Sequence, residues 1–392
     1  MNKPVLAVLT SRFPYPIDKG DKLRLYHQLR DLSKQFRVHL FALHEKPIEV
    51  EHLAAIEPYC TQIKTYALGK MHWPQQALRC LWQNLPLQSG YFFSPTLKKQ
   101  IQHDIHAIKP AAIYVQLSRM MPYTEGLSFP LVLDLQDCFS LNYTRAAKQS
   151  TGLRALFYAR EARTMQGLET QLLQSPIHTT IISNFDREAL PVQPNNTRVV
   201  PNGVDTFFFQ PLQGEKPYTI VYVGNLSYQP NQEAARYLCE VLMPKLVQRI
   251  PSAKLLLAGA NMPSFMKQWE SNHIHCAGWM KDIRTAYASA QLFVAPLFSG
   301  AGVQNKMLEA MSMGMPCITT PLVNASLNAP VPNTVLTAND ADGFVAHIEA
   351  ILKNQEQAQS LGQAGRTWVE NNYRWTTANT TLIEVIQKAI EK

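Results

Sequence analysis

The 392-residue sequence contains no apolar run close to the roughly 18 residues that a membrane-spanning helix needs. Its N-terminus, MNKPVLAVLTSRFPYP, has only a few consecutive apolar residues and no small-residue cleavage site after them. This favours a first core strand over a signal peptide. The six cysteines include no CxxC pair, which argues against a zinc site or a disulfide framework and fits a reducing cytoplasm. We therefore expect a cytoplasmic globular protein with at least two domains.

Acidic residues are scarce relative to basic ones, but only in the first half of the chain. Residues 1–200 hold 23 Lys and Arg against 15 Asp and Glu, whereas residues 201–392 hold 14 of each. The net charge of +8 therefore belongs to the first half. A basic half predicts an anionic partner for one domain, such as a phosphorylated substrate or an acidic membrane surface, and a solvated basic face explains it equally. No nucleic-acid-binding module is recognisable, so nucleic acid is not expected as a partner.

Short apolar runs typical of buried strands alternate with segments of helical pattern along the whole chain. One series begins with PVLAVLT (4–10), and a second begins with YTIVYVGN (218–225) after a proline-containing joint. Such alternation predicts an α/β fold with two doubly wound parallel sheets. We place the first domain at residues 1–203 and the second at 204–370. The segment 371–392 is predicted to be a helix that crosses back to the first domain.

The stretch FSGAGVQNKMLEAMSMGMPCITT (298–320) predicts an anion site. An apolar strand leads through Gly300 and Gly302 into a helix that carries Lys306 and Glu309 near its start. The exposed N–H groups and the dipole of a helix start attract anions, and a lysine there is disfavoured unless an anion is bound. A diphosphate beside a ribose would suit Lys306 and Glu309, although a Lys–Glu surface pair explains the same spacing. Neither a P-loop nor a full dinucleotide fingerprint is present.

Several motifs occur together in an order that resembles glycosyltransferase family 4, whose architecture is GT-B. They are PNGVD followed by FF, a G-N-L loop after a strand, a G-W-M-x-D loop, and LEAMSMGMPCITT. In addition, RFPYPIDKGDKLRLYHQLRDL and SYQPNQEA are similar to a subgroup of bacterial sugar transferases associated with exopolysaccharide or exosortase gene clusters. The resemblance covers essentially the whole chain.

The resemblance implies two Rossmann-like domains that face a central cleft and a hexosyltransferase activity. A sugar would move from a nucleotide-diphosphate donor to a hydroxyl acceptor, with retention of configuration and with no metal or other cofactor. The implied acceptor is a lipid-linked glycan at the inner face of the plasma membrane. Two alternatives remain open: a nucleotide-sugar epimerase or hydrolase of the same fold, and a non-catalytic binding homologue.

The resemblance also places the donor in the second domain. The loop at Gly224 and Asn225 would approach the donor, and the loop Gly278–Trp279–Met280 would bind the base through backbone groups. The residues expected at the diphosphate and ribose are Gly300, Gly302, Val303, Gln304, Asn305, Lys306 and Glu309. The family's paired Glu-x7-Glu has Ala301 at its first position, so only Glu309 is present. The nucleotide base, the sugar, the linkage and the oligomeric state are not predicted.

The first domain is expected to bind the acceptor. By resemblance, Lys19, Gly20 and Asp21 stand where the family's glycine-rich loop meets the donor phosphate and the acceptor. Lys19, Lys22 and Arg24 could each neutralise a phosphate there, or be a solvent-facing charge. Arg119 lies in VQLSRMM, where a histidine often stands. Asp137 ends a strand and is a candidate to orient or deprotonate the acceptor hydroxyl, with a cap or turn role as the alternative. The expected catalytic residues are Lys306, Glu309, Asp137 and Gly20.

Two further features bear on metals and membranes. Asp340-Ala341-Asp342 mimics a metal-binding DxD motif, but it precedes a helical pattern and is predicted to be a helix cap. The aromatic-rich segment 71–93 either rests on a membrane interface or packs against its own domain. Arginines and a lysine that could contact lipid phosphates follow it at positions 145, 148, 154, 160 and 163.

Overall fold

The structure is a computed structural model that describes residues 3–69, 73–192, 196–299 and 303–391. Contacts divide the chain into two compact units. The first contains the described parts of Met1–Pro201 and Ala378–Lys392, and the second contains those of Asn202–Thr377. The boundaries between the units therefore fall at 201/202 and 377/378. The boundaries expected from the sequence are 203/204 and 370/371.

Within the described residues, the first unit contains a seven-stranded, wholly parallel sheet with the strand order β3-β2-β1-β4-β5-β6-β7. Its strands are β1 (Val5–Thr10), β2 (Arg37–His44), β3 (Gln62–Ala67), β4 (Ala112–Gln116), β5 (Leu131–Gln136), β6 (His178–Ile181) and β7 (Thr197–Val199). Every residue of β4 is buried. A strand buried on both faces explains its continuous apolar sequence.

Helices cover both faces of this sheet, because apolar side chains of alternating strand positions enter two separate core clusters. The helices of the first unit before the boundary are α1 (Gly20–Gln35), α2 (Val50–Ile56), α3 (Trp73–Trp82), α4 (Leu87–Tyr91), α5 (Pro95–Ile108), α6 (Phe139–Lys148), α7 (Gly152–Gln174) and α8 (Asn184–Glu188). Short 3-10 helices occupy Glu57–Tyr59 and Ser118–Tyr123.

The described part of the second unit contains a six-stranded parallel sheet with the order β10-β9-β8-β11-β12-β13. Its strands are β8 (Tyr218–Val223), β9 (Leu255–Ala258), β10 (Ile274–Gly278), β11 (Ala290–Ala295), β12 (Cys317–Thr319) and β13 (Leu336–Thr337). The two parallel sheets confirm the predicted doubly wound α/β architecture.

The helices of the second unit are α9 (Gln229–Tyr237), α10 (Met243–Arg249), α11 (Arg284–Ala288), α12 (Asn305–Ser312), α13 (Pro321–Leu327), α14 (Ala341–Lys353) and α15 (Gln355–Asn372). A π-helical turn at Leu238–Leu242 joins α9 to α10, and a 3-10 helix occupies Ser264–Trp269. None of the helices in the described residues is long and apolar enough to cross a bilayer.

The last helix, α16 (Trp375–Ile390), begins in the second unit, and its residues from Ala378 onward belong to the first. Within the first unit, the Asn379 side-chain amide donates hydrogen bonds to the His27 carbonyl (3.1 Å) and to the Asp31 carboxylate (2.8 Å). Leu382 and Ile386 join the same apolar cluster as α1. These contacts hold the C-terminal helix on the first sheet.

In both sheets the chain reverses its direction of winding beside the first strand. β1 lies between β2 and β4, and β8 lies between β9 and β11. In open parallel sheets, ligands bind outside the carboxyl ends of the strands at such a reversal. The loops after β1 and β4, and those after β8 and β11, are therefore the places to look for sites.

Candidate functional site

Lys306 lies in the first turn of α12, which follows β11 at the reversal of the second sheet. Its side chain is only 8% exposed. The ammonium donates hydrogen bonds to Asn231 Oδ1 (2.8 Å) and Gln304 Oε1 (3.0 Å). Both acceptors are neutral amide oxygens, so they leave the positive charge of Lys306 in place. Burial lowers the pKa of Lys306 to about 8, with Glu309 opposing the shift.

Asn231 is itself held in position from two sides. The Tyr222 hydroxyl donates to Asn231 Oδ1 (3.0 Å), and the Asn231 amide donates to the Asn225 carbonyl (2.8 Å). Asn231 belongs to α9, which follows β8, whereas Lys306 follows β11. The bond between Asn231 and Lys306 therefore brings the two loops at the reversal together.

The start of α12 offers further hydrogen-bond donors. Gln304 precedes the helix in an extended conformation, and within the described residues no side chain caps this helix start. The first N–H groups of such a helix lack intrahelical acceptors and favour an anion. Val303, Gln304 and Asn305, which the sequence assigns to the diphosphate, directly precede Lys306 at this helix start. Gly300, Ala301 and Gly302, the remaining residues of this loop, lie outside the described residues.

Glu309 lies one turn further along α12. The buried Tyr287 hydroxyl donates to Glu309 Oε2 (2.7 Å) and also approaches the Lys306 carbonyl (3.4 Å). Burial raises the pKa of Glu309, while the Tyr287 hydroxyl and Lys306 oppose that shift. Tyr287 therefore orients the carboxylate of Glu309, which the sequence assigns to a pair of hydroxyl groups on a sugar.

Gly224, which follows β8, packs directly against the hydrogen-bonded side chains of Asn231 and Lys306. A Cβ atom at position 224 would lie 3.0 Å from Asn231 Nδ2 and 3.4 Å from Lys306 Cε. Asn225 is exposed, and its side-chain oxygen accepts hydrogen bonds from the Ser227 backbone N–H (3.1 Å) and hydroxyl (2.8 Å). The absence of a side chain at 224 lets the loop approach the lysine closely.

The loop predicted to bind the base follows β10, at the far edge of the same sheet. Gly278 has φ +68°, a conformation that favours glycine, and its carbonyl accepts from Gly259 N–H (2.7 Å). Trp279 is 71% exposed and Met280 is half-buried. Three strand spacings, about 14 Å, separate β10 from β11. The structure thus places this loop on the same edge as Lys306 but at a distance from it.

In the first unit, the loop after β1 opens into a polar cavity of about 340 Å³. Lys19 and Lys22 line it, and Gly20 is the first residue of α1. No atom lies within 4 Å of a Cβ built on Gly20, so the backbone there is open to a ligand. The rest of the lining is mixed. Asp18, Glu45 and Glu49 line the cavity together with basic and aromatic residues, and Asp18 pairs with Lys22 (2.9 Å). The basic and aromatic residues are Arg12, Phe13, Tyr15, His44, Lys46 and His52.

Asp21 and Arg119 meet at the reversal of the first sheet. Arg119 donates to the Asp21 carboxylate (3.3 Å) and to the Ser11 hydroxyl (2.8 Å), and Arg12 donates to the same carboxylate oxygen (2.6 Å). The Arg119 guanidinium lies over the Phe92 ring (4.3 Å to its centroid). Burial and the charge of Arg12 lower the pKa of Arg119 to about 10, so it remains charged at neutral pH. Asp21 therefore serves as the counter-charge of two arginines.

The expectation that Arg24 neutralises a phosphate is corrected by its environment. Its side chain is 1% exposed, and it forms a bidentate ion pair with Asp134 at 2.7 and 3.0 Å. Asp134 also accepts hydrogen bonds from the hydroxyls of Tyr114 (3.1 Å) and Thr180 (2.7 Å). The charge of Arg24 is thus used inside the first unit, where it satisfies a buried carboxylate.

Asp137 lies just beyond β5, beside this buried pair. Burial raises the pKa of Asp137 to about 6. The negative charges of Asp186 and Asp134 also raise this pKa, whereas the positive charge of Arg24 lowers it. A carboxyl group with such a pKa is mostly ionised at neutral pH and still able to exchange a proton. The position at the carboxyl edge of the sheet suits the predicted acceptor role.

Asp340 does not resemble a metal ligand in its contacts. Its side chain accepts a hydrogen bond from Gly343 N–H (2.9 Å) at the start of α14, which confirms the predicted helix cap. Asp342 pairs with Lys245 (2.8 Å). In the described part of the chain, no group of three or more His, Cys, Asp or Glu side chains is arranged to hold a metal ion.

Two residues with a clear place in the site were not predicted. Asn231 lies in the QPN segment that follows the first strand of the second domain, so its neighbourhood could have been suspected. Tyr287 gave no signal, because a single tyrosine in a helical pattern indicates only core packing. Its contact with Glu309 joins residues 22 positions apart.

Residues 217–354 match the family model described as "Glycosyl transferases group 1". A curated relative, UDP-Gal:alpha-D-GlcNAc-diphosphoundecaprenol alpha-1,3-galactosyltransferase of Escherichia coli, is 29% identical over 197 residues, which cover 43% of this chain and 47% of that protein. The chain spans about half the length of the curated relatives that it matches.

Two solved structures resemble nearly the whole chain. Sucrose-phosphate synthase from Thermosynechococcus elongatus has a TM-score of 0.71 at 16% identity, with 98% of each chain covered. Anabaena HepE in complex with UDP and glucose also has a TM-score of 0.71, at 12% identity, with 98% of this chain and all of that chain covered. These similarities confirm the predicted GT-B fold class.

Proposed function

We propose that the protein is a glycosyltransferase that moves a sugar from a nucleotide-diphosphate donor to a hydroxyl acceptor. The observation that carries the proposal is Lys306, a buried ammonium that donates to neutral amide oxygens at the start of α12. Among the described residues, no side chain caps this helix start. A buried cation in this setting favours a bound anion over solvent. The match of residues 217–354 to group 1 glycosyl transferases and the UDP bound to Anabaena HepE support a nucleotide diphosphate as that anion.

In this proposal the second unit holds the donor along the carboxyl edge of its sheet. The diphosphate lies at the start of α12 beside Lys306 and Gly224, and Glu309 accepts hydrogen bonds from the ribose hydroxyls. The loop Gly278–Trp279–Met280 receives the base. The roughly 14 Å between these two places, estimated from strand spacing, suits an extended ligand with a base at one end and phosphates at the other.

The bond between the anomeric carbon and the diphosphate oxygen breaks, and its electron pair leaves with the diphosphate. Lys306 and the N–H groups of α12 stabilise the negative charge that develops there. Because these groups supply positive charge, the reaction as proposed needs no metal. The acceptor oxygen forms the new bond to the anomeric carbon on the face from which the diphosphate departs, so the configuration is retained. We assign Asp137 to orient the acceptor hydroxyl and take its proton.

The acceptor is proposed to bind the first unit at the polar cavity beside Gly20. Lys19 in that cavity suits a phosphate, whereas Lys22 is already paired with Asp18, and the other polar and aromatic groups suit a glycan. A lipid-linked glycan presents both. The relative from Escherichia coli carries a diphosphoundecaprenol-linked substrate in its name, which supports this class. The protein would then work in exopolysaccharide or cell-surface polysaccharide synthesis, at the inner face of the plasma membrane.

Thermal unfolding with a panel of nucleoside diphosphates tests the donor site, because a bound ligand raises the midpoint by mass action. We expect one diphosphate to raise the midpoint of the native protein and, at the same concentration, to raise that of Lys306→Met much less. Lys245→Met is the matched control, because Lys245 is an exposed lysine of the same unit. An equal shift in Lys306→Met would remove the basis of the proposal.

Product analysis with the corresponding nucleotide sugar then tests the reaction. Transfer to a lipid-linked acceptor from a membrane extract supports the proposal. Free sugar or an epimerised donor, formed whether or not the extract is present, would instead show a hydrolase or an epimerase. Binding without any turnover would show a non-catalytic homologue.

A further inference from the structure

Exposed apolar side chains of the first unit concentrate on α3 and on the first turns of α7. Trp82, at the end of α3, and Leu153, at the start of α7, are each 86% exposed. Large apolar side chains on the surface are unremarkable singly but indicate an interaction when they cluster. The exposed members of this group are Leu78, Leu81, Trp82, Leu153, Leu156 and Phe157.

The orientation of α3 is the reverse of what a core-packing helix shows. Gln76 and Cys80, four residues apart, are its buried residues, and Gln76, Arg79 and Gln83 line a cavity of about 520 Å³. The apolar side chains Leu78, Leu81 and Trp82 lie on the exposed side. These three large apolar side chains of α3 therefore lie outside the core of its own unit, unlike those of the usual amphipathic helix.

The two helices that carry these exposed residues are tied together at the end of α3. The Arg160 guanidinium of α7 donates to the carbonyls of Cys80 (3.0 Å) and Leu85 (3.1 Å), on either side of Trp82. Phe157 lies about one turn before Arg160 along α7. We refer to the exposed residues 78, 81, 82, 153, 156 and 157 as the α3–α7 surface.

The two stretches of chain that carry this surface are basic. Residues 73–92 contain no Asp or Glu, and residues 139–163 contain only Glu161. Glu161 is buried and paired with Arg160 (2.7 Å), so it presents no negative charge to a partner. The basic residues of the two stretches are Arg79, Arg145, Lys148, Arg154, Arg160 and Arg163.

We propose that the α3–α7 surface docks onto a bilayer that contains anionic lipids. Exposed Leu, Phe and Trp side chains flanked by Lys and Arg are the combination that binds the boundary between headgroups and acyl chains. The apolar groups enter that boundary, and the cations lie at the level of the lipid phosphates. A second copy of the chain is a poorer occupant, because it would bring two surfaces of the same positive charge together.

This docking goes beyond the sugar transfer and rests on the proposed function only for its purpose, which is to bring the enzyme to a lipid-linked acceptor. The measurement uses neither donor nor acceptor. A variant that no longer binds vesicles should still bind the diphosphate, and a variant that no longer binds the diphosphate should still bind vesicles. Failure of one proposal is therefore distinguishable from failure of the other.

The test is co-sedimentation of the full chain with vesicles of phosphatidylcholine alone or with about one third phosphatidylglycerol. We expect binding to the anionic vesicles, weak binding to the neutral ones, and a loss of binding at high salt. Leu78→Ser with Trp82→Ser should lower the partition coefficient about tenfold through lost apolar insertion. Lys148→Glu with Arg154→Glu should lower it by at least as much.

The control variants change equally exposed residues of the first unit outside this surface. They are Val50→Ser, and Lys99→Glu combined with Arg198→Glu. Because all these positions are exposed, the thermal midpoints of the variants should match that of the native protein. Equal vesicle binding by surface and control variants would overturn the proposal, as would no preference for anionic vesicles. A vesicle-free dimer that Leu78→Ser with Trp82→Ser dissociates would show a second copy as the occupant instead.

Discussion

The ammonium of Lys306 donates a 2.8 Å hydrogen bond to Asn231 Oδ1, across 75 positions of sequence. This bond joins the helices that follow β8 and β11, the two strands at the reversal of the second sheet. Because Asn231 is neutral, it positions the lysine without cancelling its charge. Glu309 offsets part of the burial of Lys306. A buried charge that no counter-ion contacts directly still costs stability, and that cost is relieved when an anion binds.

Replacement of Lys306 by Met should therefore stabilise the protein without ligand at pH 7. The folded-state pKa of Lys306, about 8, lies below the ordinary value of 10.5. The unfolded chain binds this proton more tightly, so the native protein gains stability relative to Lys306→Met as pH rises from 8 to 10.5. We expect Lys306→Met to unfold a few degrees higher than the native protein at pH 7, and the difference to shrink by pH 10. Differential scanning calorimetry measures both, and a lower midpoint for Lys306→Met at pH 7 would contradict this account.

The same group sets a pH limit for donor binding. A diphosphate interacts with the protonated ammonium, so its affinity should be constant near neutrality and fall as pH rises above about 8. Isothermal titration of the native protein with the diphosphate, from pH 6.5 to 9.5, measures this fall. Lys306→Met should bind at least about tenfold more weakly at pH 7, as expected for loss of a charge-assisted hydrogen bond. Its affinity should also lack the decrease above pH 8.

Tyr287→Phe should weaken the action of Glu309 while leaving the fold intact. The substitution removes only the hydroxyl that donates to Glu309 Oε2, and the ring remains buried. We expect kcat/KM for the donor to fall about tenfold, the usual scale for one lost hydrogen bond to a charged group. Tyr373→Phe is the matched control, because its buried hydroxyl donates to the Leu327 carbonyl in the same unit. Equal losses in both variants would show that Tyr287 acts on stability and not on Glu309.

Gly224→Ala should disturb the lysine through packing. The new methyl group would lie 3.0 Å from Asn231 Nδ2, which is too close, and 3.4 Å from Lys306 Cε, which is ordinary contact. The Asn231 amide must therefore shift, and its hydrogen bond to Lys306 shifts with it. We expect diphosphate affinity to fall about tenfold, because a displacement of this size misplaces the charge that binds the ligand. Titration calorimetry measures the change. Gly214→Ala, where nothing lies within 4 Å of the added atom, should bind as the native protein does.

Much of the fold follows from local patterns in the sequence. The run YTIVYVGN predicts β8, PVLAVLT predicts β1, and the amphipathic pattern after Gly20 predicts α1. Parallel strands buried on both faces must be continuously apolar, so they stand out against the helices between them. The resemblance then brings Gly224, Lys306 and Glu309 into one site, and the structure places Gly224 against Lys306.

The remaining features depend on contacts between distant parts of the chain. Arg24 looks like a solvent-facing cation in sequence, but its carboxylate partner, Asp134, lies 110 positions away. The neutral partner of Lys306, Asn231, lies 75 positions away. The outward apolar face of α3 was also unpredictable, because periodicity shows that a helix has two faces and not which of them meets the core.

Asp137→Asn should separate the pH dependence of stability from that of activity. The pKa of Asp137 is about 6, above its ordinary value of 3.8, so the folded protein binds this proton more tightly than the unfolded chain does. The native protein therefore loses stability relative to Asp137→Asn as pH rises from 4 to 6, and the variant should have the higher thermal midpoint at pH 7.

If Asp137 takes the acceptor proton, the variant should also lose most of its turnover at pH 7, and the native rate should decline below about pH 6. Asp342→Asn, at an exposed carboxylate of the second unit, serves as the control. A midpoint difference between Asp137→Asn and the native protein that stays constant from pH 4 to 7 would contradict the burial of this carboxylate as the cause.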